Sequence, residues 1–202
     1  MALTDNDILK VYCVAVTGSP APGFYDTAQN DPASSWGATI MPSTTAISDD
    51  TDQNLYKVFT LSEMTSGTFY ATIALLNNSS GSPGAIDLTE ARVYFPNLPT
   101  ESGVTCSAAL VASVGQTSTT GPASNTSAPS GVSFTACSAA TNYATGLKAG
   151  SSGSPATDAT LSAAKANAFY LHLKLELSSV SNQLIKSAGN NQWQFTLAGG
   201  EA

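Results

Sequence analysis

The chain has 202 residues, of which 10% are charged, and its Lys+Arg 7 against Asp+Glu 14 give a formal net charge of −7. This length allows one all-β domain or two smaller ones, with enough core to be stable without disulfides. Because basic residues are half as numerous as acidic ones, the chain has no basic stripe that could bind phosphate groups, which argues against direct nucleic-acid binding. Sparse charge is also typical of surfaces that are covered by other subunits.

The first half of the chain predicts four strands, over residues 8–16, 55–61, 68–77 and 86–95. Proline cannot donate a ladder hydrogen bond, so we expect the fourth strand to end at Pro96. A long loop that holds Trp36 follows the first strand, a polar turn precedes the fourth, and together these segments favour a meander.

The second half predicts further strands over 104–114 and 132–135. Residues 115–130 are rich in Ser, Thr, Gly and Pro without periodicity, which indicates a loop or an exposed arm. A second small-residue stretch covers 142–158. The only plausible helical turn is 184–188, ahead of a last strand over 193–197.

The cleanest alternation in the chain lies over residues 168–177, where every second residue from Phe169 to Leu177 is apolar. This pattern predicts a strand with one face on a core and the other near water. The polar outer face would carry Tyr170, His172, Lys174 and Glu176.

At least eight short strands with little or no helix predict an all-β fold, an antiparallel β-sandwich of the jelly-roll or immunoglobulin-like type. We interpret residues 1–202 as a single β domain with long loops. The alternative is a pair of β lobes divided near 96–103.

His172 is the only histidine, and a nucleophilic triad would need it beside a serine or cysteine. The chain has no G-x-S-x-G elbow and no glycine-rich phosphate loop. We therefore expect no catalytic residue, no cofactor and no enzymatic activity. A hydrolase on a β scaffold is the weakest of the functional hypotheses.

Asp49, Asp50 and Asp52 form one local acidic cluster, but they lack the glycine and terminal glutamate of an EF-hand loop. We expect a solvated turn and no metal site, although the residues alone leave cation binding open. The N-terminus lacks the basic and apolar regions of a signal peptide, and no run reaches the ~20 apolar residues of a membrane span. We expect synthesis in the cytoplasm and no membrane partner.

Cys13, Cys106 and Cys137 lie in three separate segments without the paired spacing of a zinc site. We expect reduced thiols, and a disulfide between Cys106 and Cys137 stays open. Trp36, Trp193 and the seven tyrosines could stack on sugars, so a carbohydrate or host-surface binding module is an alternative function.

Three sets of stretches resemble structural proteins of tailed-bacteriophage virions. A Y-K-x-hydrophobic strand leads through a polar turn to Leu-Thr-Glu-Ala-Arg-Val-Tyr-Phe, and a T-S-A-P-S-G-V-S-F turn and strand follows. In chain order the stretches are 55–61, 71–77 and 88–95, then 126–134 with 144–150, then 168–177 with 192–200.

The resemblance implies a non-enzymatic virion component, foremost a capsid decoration or cement protein and alternatively a tail or neck component. Its partners would be the major capsid protein and copies of itself, and it would be made in the host cytoplasm and located in the virion. We expect the strand at 168–177 to pair with the C-terminal strand. The row of Tyr170, His172, Lys174 and Glu176 is then the candidate contact surface.

Overall fold

The computed structural model describes residues 9–13, 38–39, 66–77, 87–114, 126–140, 143–149, 158–162, 167–180 and 193–201. These residues form ten β-strands and a single 3-10 turn, Tyr143–Thr145, so the described part of the chain is all-β. The strands in chain order are β1 Leu9–Cys13, β2 Ala38–Thr39, β3 Gly67–Asn77, β4 Leu88–Asn97, β5 Val104–Val114, β6 Thr135–Ala136, β7 Leu147–Lys148, β8 Ala159–Leu161, β9 Asn167–Leu177 and β10 Gln194–Glu201.

The strands form two antiparallel sheets. The first has the order β2-β1-β3-β9-β5-β6, and the second has the order β10-β4-β7, with β8 also paired to β4. Residues of both sheets belong to one hydrophobic cluster. This arrangement is consistent with a β-sandwich, in which the inner faces of two sheets bury a shared core.

The alternation of β9 supplies the centre of that core. Phe169, Leu171, Leu173 and Leu175 are completely buried, as the period of two predicts. Burying one such side chain contributes roughly 1.5–3 kcal/mol to stability. From the second sheet the cluster receives the side chains of β4 and β10 together with Trp193, whose ring centroid lies 6.3 Å from that of Phe95.

The sequence located several strands correctly. The structure confirms strands at 68–77, 86–95, 104–114 and 168–177, with small shifts at their ends. The fourth of the early strands runs through Pro96 rather than ending there, and Pro96 is exposed. The short strand expected over 132–135 lies at Thr135–Ala136 instead.

Two expected pairings are wrong. The early strands do not form a meander, because β3 and β4 lie in different sheets. The strand β9 pairs with β3 and β5, whereas the C-terminal strand β10 pairs with β4. The strand expected at 55–61 and the helical turn at 184–188 lie outside the described residues.

The described residues show parts of two connections between the sheets, one after β4 and one after β6. The turn after β4 leads into β5 through Gly103, whose φ of 84° is in the left-handed region that favours glycine. The carbonyl of Gly103 accepts a 2.8 Å hydrogen bond from the amide of Ser178 at the end of β9. After β6 the chain returns to the second sheet, where the amide of Ala140 donates to the carbonyl of Phe95 at 2.9 Å.

Candidate functional site

The candidate contact residues lie on the outer face of the first sheet, which we define as the face turned away from the shared core. Here β9 is a central strand, flanked by β3 and β5 over most of its length. The register places residues of the three strands in transverse rows. The rows are Thr72, His172 and Ala109; Tyr70, Lys174 and Ser107; and Thr68, Glu176 and Thr105.

One end of the outer face is closed to solvent, and we call it the buried half. Tyr170 is 1% exposed and His172 is 0% exposed, so the expectation that both lie on a solvated face is wrong. Their neighbours Thr72, Ala109 and Val111 are buried as well, although none of the five belongs to the core cluster between the sheets. The sheet is therefore buried on both faces at this end.

His172 is held in the neutral form inside the buried half. A 2.8 Å hydrogen bond joins its Nδ1 to the hydroxyl oxygen of Thr72, and its ring centroid lies 6.2 Å from that of Tyr170. Burial disfavours the imidazolium and lowers the pKa of His172 from 6.5 to about 4. Its Nε2 makes no hydrogen bond within the described part of the chain.

A hydroxyl beside an imidazole is also the pairing of a nucleophile with its base. In this structure Thr72 is 1% exposed and His172 is 0% exposed, so a substrate has no path to either side chain. The arrangement fits a neutral structural histidine that satisfies a buried hydroxyl.

The other end of the outer face, the exposed half, reaches solvent. Lys174 Nζ lies 2.9 Å from Glu176 Oε1, and the two side chains are 25% and 41% exposed. Tyr70 is opposite Lys174, and its ring centroid lies 5.8 Å from that of Phe134. Because β9 and β5 separate β3 from β6, these two rings meet across the outer face.

A second polar group, which the sequence analysis missed, lies on the second sheet. The guanidinium of Arg92 donates from Nε and Nη2 to the two carboxylate oxygens of Asp158 at 2.6 Å each, and Lys148 Nζ donates to Oδ2 at 3.1 Å. Hydrogen bonding from Arg92, with a smaller contribution from Lys148, lowers the pKa of Asp158 to about 2.

This ion-pair group has a structural explanation. Arg92 is on β4, Lys148 is on β7 and Asp158 directly precedes β8, so the three side chains tie two short strands to one long strand. The signal in the sequence is the position of Arg92 between the buried Ala91 and Val93, which places it on the opposite face of β4.

The remaining expectations are tested only in part. Within the described ranges no group of three or more His, Cys, Asp or Glu residues could hold a metal ion. Asp49, Asp50, Asp52 and Trp36 lie outside those ranges. Trp193 is completely buried and is therefore not available to stack on a sugar.

Among the described residues, no helix has the length and apolar character needed to cross a membrane. Comparisons with protein-family models, with curated proteins and with solved structures find no match to this chain.

Proposed function

We propose that this chain is a non-enzymatic structural protein of a tailed-phage virion that decorates or cements the capsid. It would bind the major capsid protein and copies of itself. The observation that carries the proposal is that three sets of stretches between residues 55 and 200 resemble, in the same order, stretches of structural proteins from tailed-bacteriophage virions. Sparse charge supports it, because charged residues are depleted at the centre of subunit interfaces.

The geometry of the outer face supports a contact role for its exposed half. Tyr70 and Phe134 bring two aromatic rings to this surface, next to the ion pair of Lys174 and Glu176. Aromatic side chains surrounded by polar groups are the usual composition of an energetically important contact. Tyr70, Lys174 and Glu176 lie on the long paired strands β3 and β9, which would hold these side chains in fixed positions.

The proposed contact surface is smaller than the row expected from the sequence. Tyr170 and His172 are buried and cannot touch a partner while the sheet keeps its present form. Lys174 and Glu176 stay in the proposal, and Tyr70 and Phe134 join them. The proposal also includes the finer fold type, a jelly-roll or immunoglobulin-like sandwich.

The location of the protein on the particle tests the function. Particles assembled with the full chain carrying a small affinity label would be imaged by electron microscopy with a label-specific probe. A regular array over the head supports capsid decoration. A single ring at one vertex would replace it with the tail or neck role, and particles without label would defeat the virion role.

A charge reversal tests the contact surface. Glu176→Lys changes an exposed side chain on this surface, whereas Glu90→Lys makes the same charge change on an exposed position of β4 in the second sheet. We expect the first variant to bind particles at least tenfold more weakly, which corresponds to about 1.4 kcal/mol or more, because the reversed charge would oppose the partner group that Glu176 contacts. Equal binding by both variants would remove the exposed half from the interface.

A further inference from the structure

Cys106 on β5 and Cys137, which directly follows β6, are neighbours in the fold although they are 31 positions apart in the sequence. Ser107 on β5 is paired with Ala136 on β6, so the antiparallel register sets Cys106 opposite Cys137. The amide of Cys137 donates a 2.9 Å hydrogen bond to the carbonyl of Cys106. The backbones of the two cysteines are therefore in direct contact.

Both side chains lie on the inner side of the first sheet. Cys106 belongs to the core cluster, and Cys137 packs against that cluster while staying partly accessible. Directly opposed residues in an antiparallel pair have Cα atoms roughly 4.5–5.5 Å apart, which is within the range of about 4.4–6.8 Å that a disulfide requires. Neither cysteine is in a disulfide in this structure.

We propose that Cys106 and Cys137 form an intramolecular disulfide when the protein meets an oxidising environment, and that this bond ties β6 to β5. The strand β6 has only two residues, and it is held to β5 by a short ladder. A covalent bond at this point would hold the edge strand β6 against β5, and with it the start of the connection that leads to the second sheet. The inference does not depend on the proposed virion function.

A low-molecular-weight disulfide such as oxidised glutathione supplies the oxidant. The thiolate of Cys137, the more accessible of the two, attacks one sulfur of the reagent and releases one glutathione thiolate. The thiolate of Cys106 then attacks Sγ of Cys137 and releases the second glutathione. Two protein thiols are oxidised and one glutathione disulfide is reduced, so the electrons balance.

The environment of the pair makes this reaction slow in the folded protein. Burial, and then the neighbouring Cys106, raise the pKa of the Cys137 thiol, and the thiolate is the species that attacks. The bond would therefore form mainly during folding or over long exposure to an oxidant. Such a disulfide is a structural bond and does not respond quickly to a redox signal.

The test uses the full chain with Cys13→Ser, so that two cysteines remain. The reduced protein is unfolded and refolded in oxidised glutathione, then denatured, alkylated and mapped by mass spectrometry. We expect a linked pair of peptides containing Cys106 and Cys137. We also expect the thermal midpoint to rise by roughly 5–10 °C, and to fall back when a reductant is added.

The matched control is the same chain with Cys137→Ser added, which keeps the size of the side chain but cannot form the bond. It should show no linked peptides and no rise in the thermal midpoint under the same treatment. The proposal is overturned if the two-cysteine protein keeps both thiols, retains a glutathione adduct on Cys137 or forms linked dimers. A disulfide between Cys106 and Cys137 that does not raise the thermal midpoint would overturn the proposal that the bond stabilises this edge of the sheet.

Discussion

Acid should destabilise the protein through His172 as the pH falls from 6.5 toward about 4. The side chain is 0% exposed, and its pKa in the folded protein is about 4 because burial disfavours the charged ring. In the unfolded chain the imidazole regains water and its ordinary pKa of 6.5. Between these two values the unfolded state binds more protons than the folded state.

The sign and size of the effect follow from that difference. The stability contributed by a neutral His172 is present in full above pH 6.5 and is lost as the pH falls toward 4. One pKa unit corresponds to 1.36 kcal/mol, so the shift amounts to about 3 kcal/mol when His172 is the only group considered. For a domain of marginal stability this is a large part of the free energy of unfolding.

The assay is urea unfolding at a series of pH values between about 7 and 4, on the natural chain and on His172→Asn. Asparagine keeps a polar atom near the position of Nδ1 for Thr72 and does not titrate. At neutral pH the variant should be less stable, because it loses packing in the buried half. The difference should shrink by up to about 3 kcal/mol as the pH falls.

A difference that stays constant over this pH range would refute the linkage argument. Thr72→Val serves as the control, since it removes the hydroxyl that bonds to Nδ1 but keeps the titrating ring. This variant should be less stable at neutral pH by about 1–3 kcal/mol. Its stability should nevertheless fall with acid as steeply as that of the natural chain.

Two further predictions concern the second sheet and the turn between the sheets. Asp158, whose pKa is lowered from 3.8 to about 2, stabilises the fold above pH 3.8, and this stabilisation is lost as the pH falls toward 2. In Asp158→Asn the free energy of unfolding should therefore depend less steeply on pH between 3.8 and 2. The same pH dependence in the variant and the natural chain would contradict this role. Gly103→Ala should cost about 2 kcal/mol or more in urea unfolding, because φ is 84° and the added Cβ would overlap the carbonyl oxygen of Ser178. The same change at Gly131, where φ is 72° but nothing lies within 4 Å, isolates the backbone strain, so equal losses at both positions would refute the overlap.

The sequence predicted the strands better than their partners, and β9 shows why. The alternation from Phe169 to Leu177 is a local property, and it identified both the strand and its core face correctly. Pairing depends on segments that are distant in the chain: β9 lies between β3 and β5, which end 90 and 53 positions before it begins. Nothing in a strand's own residues selects such a partner, so the expected pairing of β9 with the C-terminal strand was wrong.

The burial of His172 was missed for a different reason. A period of two separates two faces but does not say whether the second face is wet. The informative signal lay on the neighbouring strand β5, where Ala109 and Val111 occupy the outer face while Ala108 and Leu110 occupy the core face. A strand that is apolar on both faces is typical of a sheet buried on both sides.

Solvent access divides the outer face and thereby decides which experiments are informative. At the His172 end a substitution acts on folding, because the side chains there are buried. At the Glu176 end a substitution changes a 41% exposed side chain and leaves the core in place. If Tyr170, His172, Lys174 and Glu176 were all substituted together, weaker binding caused by unfolding could not be distinguished from weaker binding caused by a lost contact. Separate variants at the two ends distinguish a structural histidine from a contact surface.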